Sequence, residues 1–363
     1  MSDRFIGLLH RAWMLAFALL FLTPLLFHAA PQNTGYHLIR TISLGGDGTW
    51  DQFTLDPDAK RIYIPRNTHI MVLDEVSGKV IGDIPNLDGL HSVQVAPEFN
   101  RGFATTNTSS ASTITIFDLK TLQVTSTLTS IGKATDAAMY DPATKRVFVN
   151  NAQGNNVTAV DASTGQIVGT VPLNARPEAA VPDGKGSMFV DILDKNQIME
   201  YDAKALTVKN TWPTAPCERP IGLAMDRAHR RLFVGCQPNA TSGIMVIMNA
   251  DSGQVVTSIP IGIGSDGVAY DPATSEVFVT CRDGGDGKNG VVHVFREDVP
   301  DKYTKIADVK TMYGARMLAL DAKTHHIFTI GTEQNDPVPA TADNPNPRPK
   351  PVLSTFAVQE VGK

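Results

Sequence analysis

At six places an ionisable side chain stands five residues ahead of a tight polar turn: Asp51, His91, Asp136, Glu178, Asp266 and Arg316. A seventh such turn has Ile221 at the same station. Four carboxylates brought into one narrow space repel each other and raise one another's pKa, unless a cation or the Arg316 guanidinium compensates them. A hard Ca²⁺ or Mg²⁺ would take the carboxylate oxygens, whereas His91 with two carboxylates suits Zn²⁺ or Mn²⁺ better. The alternative is structural, each acid accepting backbone N–H groups of its own lead-in loop. Either arrangement needs a scaffold that gathers residues far apart in the chain.

The repeating apolar segments supply that scaffold. An aromatic sits inside a short apolar strand at Tyr63, Phe103, Phe148, Phe189, Phe233, Phe278 and Phe328, at intervals of 40, 45, 41, 44, 45 and 50 residues. This is the period of a four-stranded blade, and seven of them predict an all-β, seven-bladed β-propeller. One repeat shows the grammar: Thr135 to Tyr140 suits an inner strand, Asp141-Pro142-Ala143-Thr144 a turn, and Arg146 to Asn151 a second strand. Val157 to Asp161 then suits a third, and Ser163-Thr164-Gly165 turns the chain into a fourth, Gln166 to Val171. Related turns lie at Asp56-Pro57, Ala96-Pro97, Asp226, Asp271-Pro272 and Asp321-Ala322, and a shifted one at Pro182-Asp183-Gly184. A lone blade cannot bury both faces of its sheet, so the ring must close. Tyr36 to Leu44 reads as a strand with no blade of its own, and Ser354 to Val358 lacks a fourth strand after it. The N-terminal strand is therefore expected to complete the last blade as its outer edge. Inner strands line a central channel, and the loops leading into them place the six ionisable residues at one mouth.

Length, charge and cysteines bound the rest. Residues 31–363 read as one domain, since a ring of repeats accommodates that length without a linker. The net charge of the 363 residues is −5, which offers no global attraction to nucleic acid. Arg66, Arg282 and Arg316 near the mouth loops supply only a thin basic rim for it. Residues 1–30 read as a signal peptide or N-terminal anchor: Arg4 and Arg11 precede an apolar run from Trp13 to Phe27. The protein is thus expected to be periplasmic or secreted, touching a membrane only through an uncleaved leader. Cys217 and Cys236 fall at one edge of adjacent strands, where a disulfide or two buried thiols would fit, and Cys281 reads as a free core thiol. No CxxCH or CxxC occurs, which excludes covalent haem attachment and zinc-finger sites.

Phe148-Val149-Asn150-Asn151 followed by Val157-Thr158-Ala159-Val160-Asp161 resembles the name motif of the exported YVTN-repeat, YncE-like propellers. The segments Gly45 to Asp51, Cys217 to Gly222, Arg230 to Cys236, Gly314-Ala315-Arg316 and Asn344 to Pro351 look like the same subgroup. Tyr63-Ile64-Pro65-Arg66 and Phe328-Thr329-Ile330-Gly331 keep only its aromatic and aliphatic positions. The resemblance spans the chain beyond the leader and implies fold and export, but little about activity.

Several other residues carry weaker signals. Trp50 beside Asp51 would either stack on a ligand or anchor its loop. His69 reads as a loop residue near the rim, His325 and His326 as solvated turn residues, and Met199, Met245 and Met248 as core filler. Asp283 to Gly287 resembles a calcium-loop fragment without its remaining ligands, and so reads as a hairpin. Pro337 to Pro351 reads as an extended excursion of the last blade. No GxSxG elbow occurs, and Trp50 and Trp212 are too few for a quinone-docking repeat. The expected function is a monomeric binding or interaction module whose small-molecule, peptide or cell-surface partner sits at the channel mouth through Trp50, Asp51, His91, Asp136, Glu178, Asp266 and Arg316. The enzyme alternative is a metal-assisted hydrolase of the lactonase type, with a divalent cation, Asp136 or Asp266 as base, and His91 as proton shuttle.

Overall fold

The computed structural model describes residues 35–129, 131–238, 242–335, 341, 347 and 349–363. The expected leader, at residues 1–30, lies outside the described residues, as does most of the Pro-rich excursion. Among the described residues, twenty-eight strands form seven four-stranded antiparallel sheets, so the propeller architecture is observed. The one helical turn among them is Pro97–Phe99.

Blade 3 follows the predicted grammar: Thr135–Asp141, Arg146–Asn151, Asn156–Asp161 and Ile167–Pro172 pair in that order from channel to rim. At the 1–2 turn, the Asp141 carboxylate accepts the backbone N–H groups of Ala143 and Thr144 and the Thr144 hydroxyl. These bonds explain why Asp recurs there: its short side chain caps donors that a chain reversal leaves unpaired. Asp56, Asp183, Asp226, Asp271 and Asp321 cap their own turns in the same way.

The seven period-marking aromatics are all at most 1% exposed. They fill the spaces between blades: Phe148 packs with Val190, Met199 and Tyr201 of the next blade, and Tyr63 with Val93 and Phe117. Full burial of each such ring contributes about 1.5–3 kcal/mol. Blade 7 closes the ring. Its inner three strands are Leu318–Asp321, His326–Gly331 and Ala357–Gly362, and its outer strand is His37–Ser43 from the other end of the chain. Phe328 and Ile330 of blade 7 pack with Ile62, Ile64 and Leu73 of blade 1.

Cys217 and Cys236 form a disulfide, and Cys281 is a buried free thiol. Met199, Met245 and Met248 lie in the core. Asp283 to Gly287 is a hairpin, with Asp283 accepting the N–H groups of Gly285 and Gly287. His325 and His326 depart from the solvated reading: His325 Nδ1 lies 2.7 Å from the buried Asp271, and His326 Nδ1 2.7 Å from Glu360. The His325 pairing arises because the ring sets the turn of blade 7 against that of blade 6, a neighbour more than fifty positions away in the chain.

Candidate functional site

Local backbone irregularity aims the ring of ionisable residues. The pairing between inner and second strands shifts register between Leu90 and Ser92, between Thr135 and Ala138, between Pro177 and Ala180, and between Pro220 and Gly222. Each of these bulges contains a station: His91, Asp136, Glu178 or Ile221. A bulge bends its strand and re-aims the extra side chain. The backbone at the bulges is also tied from the preceding blade. Thr105 Oγ1 donates to the Asp136 carbonyl at 2.7 Å, and the Asn150 amide donates to the Glu178 carbonyl. Thr280 does the same for the Arg316 carbonyl. Close approach of inner strands demands glycine at Gly267, where a Cβ would lie 2.8 Å from Leu318 N and 2.9 Å from the Arg316 carbonyl.

Asp191 holds the equivalent second-strand position in blade 4. It is fully buried, and neither of its carboxyl oxygens has a hydrogen-bond partner among the described residues. Burial, then the Glu178 charge, pushes its pKa well above the usual carboxylate range.

Asp51, Asp136, Glu178, Ile221, Asp266 and Arg316 line one cavity of about 300 Å³. His91 joins them by its ring, with Nδ1 3.0 Å from Asp51 Oδ2 and 3.8 Å from Asp136 Oδ1. Trp50 is set apart from this cavity. It packs on Phe356 at 5.3 Å between ring centroids and lines a neighbouring pocket of about 370 Å³. His69 is also elsewhere, 3.6 Å from Asp83.

The mouth acids pair with side chains rather than only with their own loops. Arg316 Nε lies 2.6 Å from Asp266 Oδ2, and Gln237 donates to Asp266 Oδ1 at 3.1 Å. Arg176 Nη2 lies 2.7 Å from Glu178 Oε1. Even so, burial and the charge of Asp136 outweigh Arg176 and push the Glu178 carboxyl up to about 7. Burial and the Asp51 charge likewise raise Asp136. The hydrogen bond to Asp51, helped by both carboxylate charges, raises His91.

The cavity is also lined by residues outside the station count, among them Arg176, Arg219, Gln237 and Arg282. Arg176 and Arg219 each stand two residues ahead of their station. Gln237 and Arg282 each follow the cysteine that ends a second strand, so the repeat carried a signal for them. The disulfide holds the loop bearing Arg219 beside the strand end bearing Gln237, whose N–H reaches the Glu218 and Arg219 carbonyls at 3.2 and 3.3 Å.

Fold and site together define the chain as a seven-bladed β-propeller with a charged channel mouth. No family model matches it, and no curated protein matches it by sequence. Solved structures do. The chain is similar to one in the crystal structure of the mitotic checkpoint complex, at TM-score 0.66 and 14% identity, over 98% of this chain and 100% of that one. It is similar to the WD40 repeats of RRP9 at TM-score 0.70 and 11% identity, over 89% and 97%. At such identities the likeness carries the fold alone.

Proposed function

We propose that this protein is an exported propeller of the YVTN-repeat type that binds a small polar ligand at its channel mouth. The observation that supports this reading is the convergence of Asp51, His91, Asp136, Glu178, Asp266 and Arg316, with Arg176, Arg219 and Arg282, around one cavity of about 300 Å³. Loops on a rigid ring are where propellers can vary recognition without disturbing the core. Spread over a flat surface, such charges would be a solvated face; inside a concavity they are partly dehydrated and select among ligands. The test is the double substitution Asp136→Asn and Asp266→Asn. It is expected to abolish retention of small cations and amines in equilibrium dialysis while the far-ultraviolet dichroism is unchanged. Undiminished retention removes the mouth from consideration.

One observation favours a second reading, the metal-assisted hydrolase. Donor atoms of Asp51, His91 and Asp136 all lie within 4.8 Å of one another, a carboxylate-imidazole set suited to Zn²⁺ or Mn²⁺. When bound, such an ion would polarise a carbonyl or activate water. Elemental analysis of the purified protein, followed by assays on lactones and esters, decides between the two readings.

A further inference from the structure

The charges at the mouth pair off unevenly. Glu178 is closed by Arg176 and Asp266 by Arg316. On the side of blades 1 to 3, two carboxylates, Asp51 and Asp136, share the single imidazole of His91. When that imidazole is protonated, one negative charge is left over. Arg282, at the end of the second strand of blade 6, gives the opposite remainder. Its Nε is buried without a hydrogen-bond partner, and no carboxylate among the described residues pairs with its guanidinium. The Nε is sealed against Gly264, so the Nη atoms that face the cavity are the ones that would meet a ligand acceptor.

Arg282 and Arg316 also form the wall between the mouth and the second pocket, whose other faces include Trp50, Tyr313, Pro349 and Pro351. The two spaces are tied together: the Arg282 carbonyl accepts the N–H of Gly314, next to Tyr313, at 2.8 Å, and Trp50 immediately precedes Asp51. Phe356 backs the Trp50 ring, and the Arg66 guanidinium backs Phe356 in turn, 3.6 Å from its centroid. An aromatic wall held from behind presents a rigid flat face at little entropic cost.

We infer that mouth and side pocket form one two-part site for a small zwitterion bearing a ring, of the kind an aromatic amino acid provides. Its ammonium lies at Asp51 and Asp136, its carboxylate at Arg282, and its ring between Trp50 and Tyr313. Guanidinium is the side chain best matched to a carboxylate. This inference rests on the mouth being a binding site, and deepens that reading by naming the ligand class.

Three probes separate the parts by isothermal titration of the full chain: L-phenylalanine, 3-phenylpropionate and phenethylamine. The amino acid is expected to bind most tightly. Arg282→Gln is expected to weaken L-phenylalanine and 3-phenylpropionate by about tenfold or more and to spare phenethylamine. Asp136→Asn is expected to weaken L-phenylalanine and phenethylamine and to spare 3-phenylpropionate. Absence of binding by all three at about 10 mM, a range well above the weak end of specific recognition, overturns the inference. Equal affinity of Arg282→Gln and the unaltered chain also overturns it, while leaving mouth binding standing if Asp136→Asn still weakens the amine. Should the Asp136→Asn, Asp266→Asn chain bind all three probes as before, the mouth reading itself falls.

Discussion

The two ends of the propeller use the same residue type for opposite purposes. At the end bearing the 1–2 turns, Asp56, Asp141, Asp183, Asp226, Asp271 and Asp321 are buried, and each accepts backbone N–H groups of its own turn. At the mouth, Asp51, Glu178 and Asp266 are held by side chains: His91, Arg316 and Gln237 come from neighbouring blades or strands, and Arg176 from the lead-in loop of Glu178 itself. A carboxylate capping its own turn is consumed by the fold. One whose partner is another side chain can exchange that partner for a ligand, because the backbone does not depend on it.

Three experiments would break or sharpen this contrast. The largest effect is expected at the one covalent tie near the mouth. Replacing Cys217 and Cys236 by Ala opens a loop whose ends are 19 positions apart and should lower stability by about 3 kcal/mol. Urea unfolding would measure that, and loss of Arg219 and Gln237 from their places should weaken mouth binding in the same variant. Next is a turn carboxylate: Asp141→Ala leaves three donors without their acceptor and should cost about 2 kcal/mol. The matching change at the mouth, Asp136→Asn, should leave stability near that of the unaltered chain or raise it, since it removes like-charge repulsion.

The smallest effect is the part of the pH dependence that the mouth contributes. Glu178 titrates near 7 in the folded chain against an ordinary 4.5, so the folded state binds its proton more tightly. Its contribution to stability is then full below about 4.5 and declines as pH climbs toward 7. His91 adds to the decline, because its raised value stabilises the fold below about 6.5 and that gain fades as pH rises through the folded value. Glu178→Gln should match the unaltered chain at pH 4.5 and melt a few degrees higher at pH 7.5. Parallel melting curves for the two chains across that range would show that Arg176 governs Glu178 after all.

Much of this was legible in the chain because it is local and repeated. The aromatic period, the capping aspartates and the orphan strand near residue 40 each state their own structural role, so blade number and closure could be read directly. Six mouth residues were legible through their fixed distance from those turns. Arg176 and Arg219 fall outside that count because they come from the approach loop, a position where most blades carry no charge, whereas Arg282 is legible only as part of a thin basic rim. Trp50, expected at the mouth as a ligand contact or a loop anchor, lines the adjoining pocket instead, a distinction set by its packing on Phe356. The partners of His325 and His326 depend on which blades become neighbours once the ring is closed.

Pairing of His37–Ser43 with Ala357–Gly362 has a consequence for biosynthesis. An early-made strand waits for one of the final segments to leave the ribosome before its hydrogen bonds can form. Until then the seventh sheet is incomplete and the flanking blades lack part of the apolar face that covers them. Six sheets are built from consecutive strands and can form as the chain is made, so closure of the ring is the one step of folding that waits for nearly the whole polypeptide.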